Sequence, residues 1–222
     1  MVLAEPGGAE LVAATLGELG VGPFDLPQVR VPTGGGVAWT YETSRGPEVT
    51  KALDVVIAIA RANLRKWYRT PFGEGEAGPP DCASEDNLRG FGINTIEDAK
   101  PDWHECPACP WSQFGSDRVT RTGKDCSEYM LVYAFRLDSM LPDVVVVPPT
   151  SLKTFRKYVL QLAGEGKRVF QVITRLTLES AERGGFPTAI IKPQALRALT
   201  IYEAERMKAV VAAVLAHGAK KK

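Results

Sequence analysis

Four cysteines are the residues of this chain with the most constrained chemistry. Cys106-Pro107-Ala108-Cys109 is a CxxC knuckle, in which two thiolates can converge on one ion while the backbone between them turns. Cys126 follows it and Cys82 precedes it, so all four cysteines of the chain fall within 45 residues and none is left over. Tetrahedral Zn2+ takes this ligand set, a knuckle plus single ligands from separate loops. Four thiolates leave no open position for water, so the ion reads as structural. Two other chemistries use the same residues: four thiolates can hold an iron–sulfur cluster, and His104 could stand in for one cysteine. A redox CxxC fits less well, because that motif sits at a helix start after a strand and the flanking sequence here is irregular.

A second group combines arginines with tryptophan. Read as a strand, Ala60–Arg69 places Arg61, Asn63, Arg65, Trp67 and Arg69 on one face and Ala60, Ala62 and Leu64 on the other. Lys66 adds to the basic cluster. Arginines neutralise phosphates and an exposed Trp stacks on any base, the combination that single-stranded nucleic acid requires. Trp39 and Tyr41, on one face of an earlier strand, could extend the platform, and Arg118, Arg121 and Lys124 could form a basic lip before Cys126. The plain alternative is a solvent face with one Trp packed under a loop. Trp103 and Trp111, which bracket the knuckle, read as packing against the metal loops.

Catalytic material is thin. Asp81, Glu85, Asp86, Glu97, Asp98, Asp102 and Glu105 could supply the two or three carboxylates with which a nuclease holds magnesium, but a solvated acidic loop needs no more than this. Histidine occurs only at 104 and 217, and neither a GxxxxGK[ST] nor a GxGxxG run is present. The expectation is a protein that is not an enzyme.

The elements that must carry these residues can be read from periodicity. The chain has 222 residues, 45% hydrophobic and 24% charged, which is globular composition. Net charge is only +1, yet residues 74–105 hold nine acids and two bases while residues 161–222 hold eleven bases and five acids. A helix is expected over 9–19, strands over 28–31 and 37–42 joined as a hairpin, and a long β-rich run over 53–68. Further strands are expected at 129–137, 143–147, 169–178 and 188–192. One helix follows Pro148-Pro149 and closes at Gly164; another begins near Thr200, where Thr200 and Glu203 suit a capping box. Residues 71–127 are irregular and rich in Gly and Pro, which a metal would organise. Strands do not alternate with helices, which disfavours a doubly wound sheet. The expected fold is α+β, mainly β: an OB-like, partly open antiparallel barrel, a single domain over 1–222 with a zinc-binding insertion at 71–127 and a C-terminal helix. No stretch is apolar enough to span a membrane, and the first twenty residues lack the features of a signal peptide, so a reducing compartment is expected.

The ordered string DCxS at Asp81, CPxCPxxxFGS from Cys106 to Ser116, GKxC from Gly123 to Cys126 and PPTSLKxFxxY from Pro148 to Tyr158 resembles a family of tailed-phage proteins. Its members are usually left uncharacterised or described as single-stranded-DNA-binding proteins. The resemblance implies phage DNA replication or recombination, single-stranded DNA and phage replication or recombination proteins as partners, metal on the cysteines, and a host-cytoplasmic location. The chain departs from many single-strand binders in ending on Lys220-Lys221-Lys222, where they carry an acidic tail. A structural or adaptor subunit of a phage assembly is the alternative, and a metal-dependent nuclease the third reading.

Overall fold

A computed structural model describes residues 8–18, 26–70, 78–97, 100–119, 121–183 and 185–218. The chain divides into two compact units, residues 1–60 with 131–222, and residues 61–130. The sequence reading expects one domain with an insertion at 71–127; the second unit contains that insertion and takes in the end of the long strand before it. The fold is mainly β with a few helices and an open antiparallel sheet. Among the described residues no helix is long and apolar enough to cross a membrane.

In the first unit, alternation sets the core. Strand β10 (Val172–Arg183) pairs antiparallel with β11 (Phe186–Ala198) and with the start of β4 (Ala52–Trp67), from Val56 opposite Ile173 to Ala52 opposite Thr177. Val172, Thr174, Leu176 and Leu178 point inward along one face. Strand β8 (Ser127–Arg136) lies between β4 and β9 (Asp143–Val147), and β1 (Gln28–Val29) closes that side, parallel to β9. Helix α2 (Pro149–Gly164) packs Leu152, Phe155, Tyr158 and Leu162 inward and lies against β11. Ser151, in the first turn of α2, is buried and its hydroxyl accepts the Ile191 N–H at 2.9 Å. Helix α1 (Gly8–Glu18) packs against α3 (Ile201–Gly218), whose entry has the expected capping box: Glu203 N–H donates to Thr200 Oγ1 and Thr200 N–H to the Glu203 carboxylate.

The early hairpin is not as expected. The strand at 28–29 joins β9, and β2 (Trp39–Thr43) pairs with β3 (Gly46–Thr50), a strand that the Pro and Glu of GPEVT conceal. Only an isolated bridge, Arg30 to Thr40, links the two segments once predicted to pair.

The second unit is a small antiparallel sheet built on the end of β4. Strand β5 (Cys82–Ser84) pairs with β4, β6 (Arg89–Gly92) with β5, and β7 (Asp102–Glu105) with β6. These strands have three or four residues each, too short for periodicity to reveal them.

Candidate metal centre

Register decides which way each thiol points. Cys82 lies opposite Trp67 on one side and Gly92 on the other, so all three belong to one face of the sheet. The same face carries Arg65 opposite Ser84, and Gly90 opposite His104. The knuckle follows β7: Cys106 N–H donates to Leu88 O at 2.8 Å, and Cys109 N–H folds back on Cys106 O at 3.3 Å. A single 3-10 turn, Pro110–Ser112, leads to Trp111, whose carbonyl accepts the Cys126 N–H at 2.8 Å. Those bonds bring the last thiol under the sheet.

All four cysteines line one cavity of about 20 Å³, together with Arg65, Trp67, Ser84, Asn94, His104, Trp111 and Ser112. That is room for one atom-sized occupant, not for an organic ligand. Glycine is required on its roof. A Cβ on Gly90 would lie 3.1 Å from Cys82 Sγ and 3.5 Å from Cys106 Sγ; one on Gly92, at φ +141°, would lie 2.0 Å from Asp81 O. The cysteines are nonetheless not drawn into ligand geometry: among the described residues no three of His, Cys, Asp or Glu are grouped as a coordination shell. What the cysteines share is the wall of one small cavity.

Burial pushes the Cys126 thiol up to about 12 and the Cys82 thiol up to about 11, and Cys106 upward as well. Desolvation is the main cause, and the neighbouring cysteines add to it; Arg65 pulls Cys106 and Cys126 back down. Arg65 is buried, donates through Nε to Asn87 Oδ1, and has Glu128 3.8 Å from its Nη2. Its Nη1 and the Ser112 hydroxyl are buried without a hydrogen-bond partner among the described residues, and both residues line the cavity.

This corrects the basic–aromatic strip. Arg65 and Trp67 do share a face, but it is the inner one, because the side chain paired with Cys82 has to look toward the knuckle. Trp67 is 1% exposed, stacks on Trp111 with centroids 5.3 Å apart, and donates its indole N–H to Asp125 at 2.6 Å. Arg118 is no lip: it bonds Asp125 at 2.9 Å and the Tyr68 and Arg69 carbonyls, with its guanidinium 5.6 Å from both indoles. Arg69 is half-buried, its N–H bonded to Asp81. Lys66, by parity, points the other way. Arg121 is exposed and Lys124 sits 4.8 Å over the Phe114 ring. The Arg61 side chain lies outside what is described, as do Asp98 and Lys220 to Lys222.

Trp39 is core of the first unit, fully buried with its indole N–H on Leu176 O at 3.0 Å. Tyr41 is committed there too, donating to Glu48 at 2.9 Å under the Arg136 guanidinium. Of the two tryptophans flanking the knuckle, Trp111 packs against it as expected, and Trp103 does not: it is 57% exposed. In Arg89-Gly-Phe-Gly92 the glycines lie on the thiol side and the large residues on the other, the side that Trp103 shares with Phe91.

The carboxylates work singly. Asp86 caps the β5–β6 turn, accepting from Leu88 and Arg89 N–H, which holds it below the usual carboxylate range; Asp102 accepts from Trp103 N–H and Glu105 faces Arg89. His104 is engaged with Gly92 O at 2.8 Å. The first unit has a wider cleft of about 450 Å³ beside Arg45, Glu48, Arg136 and Asp138, where Arg136 is already paired with Asp143 at 2.8 Å. Compared with protein families, curated proteins and solved structures, the chain finds no match in any of the three.

Proposed function

We propose that this chain is a non-catalytic single-stranded nucleic-acid-binding protein whose second unit is held in shape by one zinc ion on Cys82, Cys106, Cys109 and Cys126. The observation that carries the metal is the cavity itself, one atom in size, with every cysteine of the chain on its wall. The donor chemistry fits. Four thiolates around Zn2+ carry two net negative charges, and the buried Arg65 guanidinium and Ser112 hydroxyl each offer a donor that has no other partner. A four-thiolate shell leaves no position for a reacting water, so the ion supplies folding energy and no chemistry. An OB-like architecture and a phage replication or recombination setting belong to the same proposal; the latter is supported only by the resemblance of residues 81–158.

Elemental analysis of the purified protein is expected to give about one zinc per chain, and filter binding to oligo-dT across a salt series a retained complex that weakens with salt. Iron with acid-labile sulfide would replace zinc by a cluster. Magnesium-dependent cleavage of the oligonucleotide would overturn the non-catalytic reading, and no retention at low salt the nucleic-acid reading.

A further inference from the structure

The face of the small sheet that looks away from the thiols has its own composition. Lys66 lies opposite Ala83, Ala83 opposite Phe91, and Phe91 opposite Trp103, so these four side chains form one row across four strands. Both aromatic rings at the end of the row are open to solvent, Phe91 at 51% and Trp103 at 57%, although their centroids are 5.3 Å apart. Two large exposed rings side by side on one sheet are unlike isolated surface hydrophobics and mark a contact surface. Arg89 stands beside them with its guanidinium 5.3 Å from the Trp103 ring, and Lys66 holds its ammonium 5.6 Å from the Tyr129 ring. Ala83 between them leaves the floor low.

We infer that this outer face is the stacking platform for unpaired bases of a single strand, with Phe91 and Trp103 under the bases and Lys66 and Arg89 on the flanking phosphates. The inference rests on the nucleic-acid reading above and places its site. Charge selects the occupant: among the described residues in the outer row and beside it on these four strands are two cations, Lys66 and Arg89, against one carboxylate, Glu105, which lies 3.4 Å from Arg89 and is 68% exposed. Rings with cations at their margins suit bases joined by phosphates. A basic peptide would meet Lys66 and Arg89 with like charge. Glu105 then acts as a stand-in anion that a phosphate must displace from Arg89.

Fluorescence anisotropy of a labelled oligo-dT on the intact, zinc-loaded protein tests this. Trp103→Ala and Phe91→Ala are expected to weaken binding on the order of tenfold each, and Arg89→Ala to lower the salt slope by about one unit. Glu105→Gln is expected to tighten binding, which a docking surface for a basic protein would not show. Zinc content and melting temperature stay as in the parent for both aromatic variants. Independently, bound oligonucleotide should protect Trp103, the most exposed of the four tryptophans, from acrylamide; Trp39 and Trp67 are buried and Trp111 is half-buried. If the parent binds no single strand, the underlying reading fails. If the parent binds and the aromatic variants bind equally well with Trp103 unprotected, that reading survives and the platform is refuted.

Discussion

The two units solve the problem of an interior differently. The first buries a broad aliphatic and aromatic set: Val55, Ile57, Phe135, Phe155, Leu176, Ile191 and Met207 are all at 1% exposure or less. Among the described residues, the second, residues 61–130, buries little hydrocarbon beyond Leu64, Trp67 and Met130; thiols, Arg65 and two serines accompany them. A unit of that size with so small an apolar core needs a cross-link of some kind. The difference shows that polar composition does not make the whole segment loop: β5, β6 and β7 pair as a sheet whose interior holds thiols, an arginine and serines more than hydrocarbon.

Removing the proposed zinc ion is the sharpest way to break the comparison. Chelation, or Cys126→Ser, is expected to withdraw stabilisation on the order of 10 kcal/mol from the second unit alone. Hydrogen exchange should then show residues 61–130 unprotected while amides of β10 and β11 stay protected. Equal loss in both units, or none, would mean that the thiols are not what holds the second unit.

Side-chain deletions sharpen it next. Leu176→Ala in the first unit is expected to cost about 2–5 kcal/mol and leave zinc content unchanged. Trp67→Ala is expected to cost about 3–5 kcal/mol and to accelerate zinc loss, because it opens the cavity wall. Trp103→Ala, on the outer face, should stay within about 0.5 kcal/mol of the parent. A Trp67 variant that melts like the parent would put that indole back on the surface. A smaller effect is expected at Gly90→Ala, where the added Cβ sits 3.1 Å from Cys82 Sγ and 3.3 Å from Ala83 O. About 1–3 kcal/mol of overpacking should appear as faster transfer of zinc to a chromophoric chelator.

What could be read in advance follows the same division. Strands β8, β9 and β10 and helices α1, α2 and α3 announce themselves by long periodic runs, as did the capping pair Thr200 and Glu203. Strands β5, β6 and β7 have three or four residues each, too few for periodicity to set them apart from the surrounding loops, and the two glycines of β6 depress its β propensity. The knuckle was legible because its spacing is chemical, not periodic. Arg65 and Trp67 were rightly placed on one face of a strand; which face is inner depends on the pairing of Trp67 with Cys82, information that lies fifteen residues further along the chain. An apolar residue type alone does not place a side chain inside: Ile201, at the start of α3, is 87% exposed, while Met207, Val210 and Val211 of the same helix turn inward.

Acid gives the last and smallest test, and it should separate the units by pH. Glu203 accepts hydrogen bonds from Arg197 at 2.8 and 2.9 Å and from Thr200 N–H at 2.8 Å, and Arg197 above all lowers its pKa from 4.5 to about 2. A carboxyl depressed in the folded state contributes stability that is complete above its unfolded value and disappears as pH falls through the folded one. The capping contribution to the first unit should therefore persist at pH 5 and fade between about 4.5 and about 2. Glu203→Gln, which keeps an acceptor but no charge, should remove that slope while costing about 1 kcal/mol at neutral pH, the scale of a lost cap. With the proposed zinc on the thiolates, protons compete directly with the metal in the second unit, so its release is expected at higher pH than any change at α3. Helical circular dichroism followed alongside zinc release during one acid titration measures both. Two coincident transitions, or a Glu203→Gln protein with an unaltered acid limb, would show that the units do not answer to separate groups.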